Sequence, residues 1–307
     1  MRLTKTATML AACLCLVGTA RADDTSTPDP HAAEKAAWAA AAKVAVKGPA
    51  TVKLLDQATL QIPAGEAFIP REQANAIQIA AGNGNDPTVY GMVVATTKGQ
   101  DWWDVINWTG DGYVRDGDAK NWQPDTLLQS LRDGTADMNK QRASLGVPQL
   151  DIIGWVQPPA YDATNHRLVW SVSARTQGTD PAEPEIVNYN TYALGRRGYF
   201  TLDMITGSDT IATDKLAAVQ LLDGLTYTPG QRYEDFNDST DHVAAYGLAA
   251  LIGVVAVKKL GLLALAGVFL LKIWKIGLVV VVAASSALRR KLGFKPKQPP
   301  APLDGPR

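Results

Sequence analysis

Three rhythms of apolar and polar residues divide this chain. From Thr51 to Tyr227 short runs alternate every second residue or recur at helical spacing, with glycine, asparagine and proline between them. Ahead of them lies the alanine-rich stretch His31 to Lys47, which predicts a helix stopped by Gly48-Pro49. Behind them lies Val243 to Leu288, which is apolar apart from a few polar residues and four lysines.

The middle rhythm reads as one domain. Thr51 to Ile62 predicts two short strands around Asp56-Gln57, and Pro70 to Ala81 a helix ended by Gly82-Asn83-Gly84-Asn85. Val89 to Thr97 and Trp102 to Asn107 are strand-like. Asp125 to Leu145 carries Leu127, Leu128, Leu131 and Met138 at helical spacing. Leu150 to Val156, Leu168 to Ala174, Ile186 to Leu194 and Tyr199 to Ile205 follow as strands, rich in β-branched and aromatic residues. Thr213 to Leu222 is a last helix before Leu225-Thr226-Tyr227. Neighbouring strands with short turns imply an α+β fold, a mostly antiparallel sheet with flanking helices.

The final rhythm predicts a C-terminal transmembrane helical region. About 20 apolar residues at ~1.5 Å each span a bilayer core, and Val243 to Leu288 is more than twice that long. Lys258 and Lys259, then Lys272 and Lys275, cut it into pieces of 15, 12 and 13 residues, each short of a span. Lysines near helix ends snorkel to the interface. On one continuous helix, Lys258 and Lys272 instead share a face that would meet other copies in an oligomer. The number of crossings stays open.

Composition adds direction to this picture. Met1 to Asp24 has a basic start, an apolar Ala7 to Val17 and Ala20-Arg21-Ala22, the layout of a secretory signal peptide over 1–22. Residues 23–47 are then a polar linker and the alanine-rich helix, 48–241 an exported domain, 243–288 the membrane region and 289–307 a basic tail. The formal charge of zero hides a net of −12 from Asp23 to Asp241 and +9 from His242 onward. By the positive-inside rule the tail is cytoplasmic and the acidic domain is exported. The expected partners are the lipid bilayer and a protein partner or second copy met through the membrane region, and not nucleic acid.

Four separated motifs point to a family. TGDGYVRDGDA, YDATNHRLVW after GWVQPP, RRGYFTLDMI after VNYNTYALG, and RYEDFNDSTDHVAAYGLAALIG together resemble the domain of unknown function 2167 family. The resemblance covers Gly48 to the membrane run. It implies membrane-anchored bacterial proteins, hence a periplasmic domain held at a bacterial inner membrane, and brings no activity or catalytic residue with it. The ending Val187 to Tyr227 also resembles the PsbP-type sandwich, a likeness of fold alone.

Candidate chemistry is sparse. Cys13 and Cys15, the only cysteines, lie in the signal-like segment, which removes disulfides, thiolate nucleophiles and cysteine metal sites from the rest. A Ser–His–Asp arrangement would have to use His166, which sits at a turn-to-strand junction. Asp111, Asp116 and Asp118 cluster in GDGYVRDGDA without the calcium-loop spacing. Turn-forming Asp-Gly pairs explain them better than a cation site does. Gly82 to Asn85 follows a helix, so it is no dinucleotide loop. Trp102, Trp103, Trp108, Trp122, Trp155 and Trp170 suit a core better than a groove. Ser239, Thr240 or Asp241 would cap the membrane helix.

Arg196 and Arg197, bracketed by Gly195 and Gly198, are the candidate anion- or partner-binding pair, since two guanidiniums at one turn can grip a carboxylate or phosphate. No metal or cofactor is expected. The reading that follows is a membrane-anchored periplasmic domain acting as a non-enzymatic binding or interaction module. The alternatives are an envelope hydrolase using carboxylates and a self-associating membrane component or small channel.

Overall fold

The computed structural model describes residues 32–252, apart from 82 and 145–147. Helix α1 (Ala32–Val44) leads into strands β1 (Val46–Lys47), β2 (Ala50–Leu54), β3 (Ala58–Ile62) and β4 (Glu66–Pro70). Helix α2 (Arg71–Ala80) is followed by β5 (Val89–Ala95), β6 (Trp103–Thr109) and β7 (Tyr113–Arg115). Helix α3 (Pro124–Ser144) precedes four long strands, β8 (Leu150–Asp162), β9 (Arg167–Thr176), β10 (Ile186–Gly195) and β11 (Gly198–Gly207). Helix α4 (Ile211–Gly224), β12 (Leu225–Tyr227) and β13 (Val243–Gly247) complete the series, with a 3-10 turn at Leu248–Leu251.

Eight strands form one antiparallel sheet in the order β1-β4-β5-β6-β11-β10-β9-β8. Every residue of β10 is buried, as is β11 up to Thr206, because both faces of the sheet are covered. On one face Phe200, Leu202 and Met204 pack with Leu54, Leu60, Leu221 and Leu222, under the small sheet β12-β3-β2 and α4. On the other, Val105, Ile205 and Met92 meet α1 and α2 through Ala41, Ala74 and Ile77. Further along that face Leu168, Trp170, Tyr192 and Tyr199 meet Leu127, Leu131 and Met138 of α3.

Helix α3 buries its stripe because those three residues recur at steps of four and seven, one side of a 3.6-residue repeat. Strand β8 lies at the sheet edge. Register shifts interrupt its pairing with β9, and Pro158-Pro159 remove two donors from it. Arg132 also donates to the carbonyls of Ile152 and Ile153, at 3.2 and 2.6 Å. These features discourage a further strand from adding there. The leader helix is docked rather than free: Ala41 is fully buried and Trp38 packs against the same cluster.

The end of the described chain corrects the membrane reading. Val243–Gly247 is a strand paired in parallel with β7, and Leu248–Leu251 is a single 3-10 turn. Ala244, Leu248, Leu251 and Ile252 are buried within the α3-side core, and Tyr192 Oη donates to the Leu251 carbonyl at 2.9 Å. The apolar character at this point therefore serves protein packing, where each fully buried aliphatic side chain contributes about 1.5–3 kcal/mol. Asp241 caps no membrane helix.

Among the described residues no helix is long and apolar enough to cross a membrane. The transmembrane region begun at Val243 is thereby overturned. The lipid partner, the contacts between copies within a membrane, the split between periplasm and cytoplasm, and the membrane-anchored function lose their support with it. Lys258, Lys259, Lys272, Lys275, the basic tail and the signal-like segment lie outside the described residues.

Candidate functional site

Three connections reach the same end of the large sheet. The β8–β9 turn, the β10–β11 turn and the exit from β6 are brought together by the register, which pairs Arg167 with Ala193, Gly195 with Gly198, and Tyr199 with Thr109. The segment 230–252 is laid across this end. Glycine is required at two crossing points. A Cβ at Gly198 would lie 2.0 Å from the Thr109 carbonyl oxygen. One at Gly112, where φ is +104°, would lie 2.6 Å from the His242 oxygen. The four motifs of the family resemblance thus meet in one place.

The two adjacent arginines part company here. Arg196 donates through Nε and Nη2 to Asp241 at 2.6 and 2.9 Å, and through Nη1 to the Gly230 carbonyl at 3.1 Å. Hydrogen bonding to Arg196 holds the Asp241 carboxyl down at about 2. Its planar fork is therefore filled from within the domain. Arg197 is exposed, and its guanidinium makes no ion pair among the described residues. Its carbonyl accepts from Gly112 N–H at 3.1 Å, which fixes the turn it rides on.

The three aspartates of GDGYVRDGDA take three separate partners. Asp111 accepts from Tyr246 Oη at 2.7 Å. Asp118 accepts the backbone N–H groups of Leu248 and Ala249 at 3.1 and 2.9 Å, capping the 3-10 turn. Asp116 accepts from Tyr161 Oη at 2.8 Å. Among the described residues no cluster of three or more metal-ligating side chains forms.

Around Asp116 the structure builds what spacing did not show. His166 Nδ1 lies 3.2 Å from Tyr161 Oη and 3.9 Å from Asp116 Oδ2. The imidazole stacks on Tyr233 with centroids 4.1 Å apart, and Tyr113 stacks on both Tyr233 and Phe236 at 4.3 and 3.9 Å. Tyr233 also donates to the Val114 carbonyl at 2.8 Å. Burial, then the bond to Asp116, raises the Tyr161 phenol well above its ordinary range, so it stays protonated. His166 itself has φ +53°, an uncommon backbone region for a non-glycine residue.

Sequence reasoning singled out His166 and Asp116 separately and missed Tyr161, Tyr233, Tyr113 and Phe236. The available signal was an aromatic residue close to a turn aspartate in three of the four motifs. Trp102, Trp103 and Trp170 are buried, while Trp108, Trp122 and Trp155 pack against the core clusters.

Comparison with known proteins adds a family and little else. No curated protein matches the chain. Among solved structures, the solution structure of cyanobacterial PsbP (CyanoP) from Synechocystis sp. PCC 6803 is similar at 13% identity. The match covers 58% of this chain and 92% of that one, with a TM-score of 0.35, too slight to carry an argument. The profile of the family described as protein of unknown function (DUF2167) matches residues 46–283. That match takes in most of the chain and all four motifs that meet at the sheet end, and the chain belongs to the DUF2167 family.

Proposed function

We propose that this domain binds an anionic group, carboxylate or phosphate, at the β10–β11 turn, with Arg197 as the contact and Arg196 as its brace. The observation that carries the reading is the division of labour between neighbours. Arg196 is spent on Asp241 and Gly230, while Arg197 stands exposed on the turn they hold. A guanidinium on a fixed turn loses less freedom on binding than one on a mobile loop, and it offers a planar fork to an oxyanion.

The remaining charged groups of the patch support recognition more than bond-breaking. Asp111, Asp116, Asp118 and Asp241 each already accept a hydrogen bond from inside the domain. The test is an amide NMR titration with inorganic phosphate, read at Gly112 and Gly198, in the wild type and in Arg197→Ala. Saturable shifts at both glycines are expected in the wild type and not in the variant. Shifts that survive Arg197→Ala unchanged would move the site elsewhere.

A further inference from the structure

The sheet face that carries α1, α2 and α3 has a polar seam between its two apolar clusters. Tyr192, Asn190 and Asn188 alternate along β10 and so share one face, with Thr201 opposite Tyr192 and Asp203 opposite Asn190. Asn107 on β6 joins them, donating through Nδ2 to Thr201 Oγ1 at 3.0 Å and to Asp203 Oδ2 at 3.2 Å. On one flank Val105 and Ile205 pack with α1 and α2, and on the other Trp170 and Tyr192 pack with α3. The seam is nonetheless withdrawn from water: Asn107, Asp203, Asn190 and Asn188 are 0, 3, 4 and 6% exposed. Asn188 Oδ1 accepts no hydrogen bond among the described residues, which is costly for a buried acceptor. Of these seam residues one brings a carboxylate, three bring amides and none is basic, so the missing donor is best supplied by a cation.

The described chain ends at the head of this seam. Tyr192 Oη donates to the Leu251 carbonyl at 2.9 Å, and Ile252 is fully buried. Gly253, Val254, Val255, Ala256 and Val257 come next in the sequence, and then Lys258. The steps from Leu251 to Lys258 cover about 10 Å as a helix and about 23 Å fully extended. The steps along β10 from Tyr192 to Asn188 cover about 13 Å, which falls between those limits. We propose that residues 253–257 dock along the seam and that the Lys258 ammonium donates to Asn188 Oδ1 at its far end. The apolar side chains match the cluster edges on either flank, and an ammonium brings three donors to a row of acceptors. The inference is independent of the Arg197 reading.

The test uses the full chain labelled with nitrogen-15, carrying Cys13→Ser and Cys15→Ser so that a nitroxide can be attached at Lys259→Cys alone. The side-chain amides of Asn188 and Asn190 should lose most of their intensity to the spin label. That of Gln61, on the small sheet over the opposite face, should keep its intensity. Lys258→Met without the label should move the Asn188 amide resonances, whereas Lys98→Met, on the exposed turn after β5, should not. An unchanged Gly198 amide shows that each variant is folded. Broadening at Asn188 and Asn190 no greater than at Gln61 overturns the docking. Broadening at both asparagines with no response to Lys258→Met overturns the ammonium contact, and the inference falls with it.

Discussion

At one end of the large sheet Asp241, with its side chain 6% exposed, is held down at about 2 by Arg196; at the other Glu66, itself 6% exposed, is pushed up to about 7 by burial. Both side chains are largely covered by protein, and the partners they meet there differ. Asp241 accepts two N–H bonds from a guanidinium, another from Asn237 N–H at 2.8 Å, and one from the Thr240 hydroxyl at 3.2 Å. Glu66 Oε2 has no hydrogen-bond partner among the described residues. A partner reverses the sign of the effect that burial alone would have. Asp241 is held ionised by its partners at the turn end, whereas burial disfavours the ionised form of Glu66.

The largest expected effect tests how the turn end is closed. Leu248→Ala removes a side chain that is fully buried beside Leu251 and Ile252, and should cost about 2–5 kcal/mol in urea unfolding. An unchanged midpoint would mean that residues 243–252 are not part of the core, and the comparison of the two ends would lose its first member.

A smaller effect, and one that depends on pH, belongs to Glu66. Its folded pKa lies above the ordinary value of 4.5, so its contribution to stability is complete below that pH and is lost as pH rises through about 7. Asp241 runs the other way: its contribution is present above the ordinary carboxyl range and is lost as pH falls towards about 2. Glu66→Gln should therefore gain on the wild type as pH rises from 4.5 to 8, by up to about 3 kcal/mol. Melting curves across that range check it. A difference that stays constant with pH would show that Glu66 ionises without penalty and that the two ends do not differ.

Much of the sheet was legible from local pattern. LVWSVSA and IVNYNTYAL alternate as strands do, and Leu127, Leu131 and Met138 mark α3 at helical spacing. The short strands β4, β7 and β13 were not legible, because a run of three to five residues is defined by its partner more than by its own composition. The apolar run at Val243 was misread for a physical reason. Hydropathy reports that water is to be excluded, and it does not say whether lipid or protein excludes it.

At the turn end most of the polar residues that matter had been noticed one at a time. Their pairings span 45 positions for Arg196 with Asp241 and for Asp116 with Tyr161, and 135 for Asp111 with Tyr246. Such contacts are set by the order of strands in the sheet, which no local spacing encodes. Asp241 shows the consequence, since it suited a helix cap until its arginine was found across the sheet end.

Two adjacent arginines have opposite duties, and the melting temperatures of Arg196→Ala and Arg197→Ala tell those duties apart. Removing Arg196 leaves the Asp241 carboxylate, with its side chain 6% exposed, without its cation. Removing Arg197 deletes an exposed side chain with no ion pair among the described residues. Arg196→Ala should melt several degrees below the wild type, and Arg197→Ala within about a degree of it. Equal melting temperatures for the two variants, or a larger fall for Arg197→Ala, would contradict it.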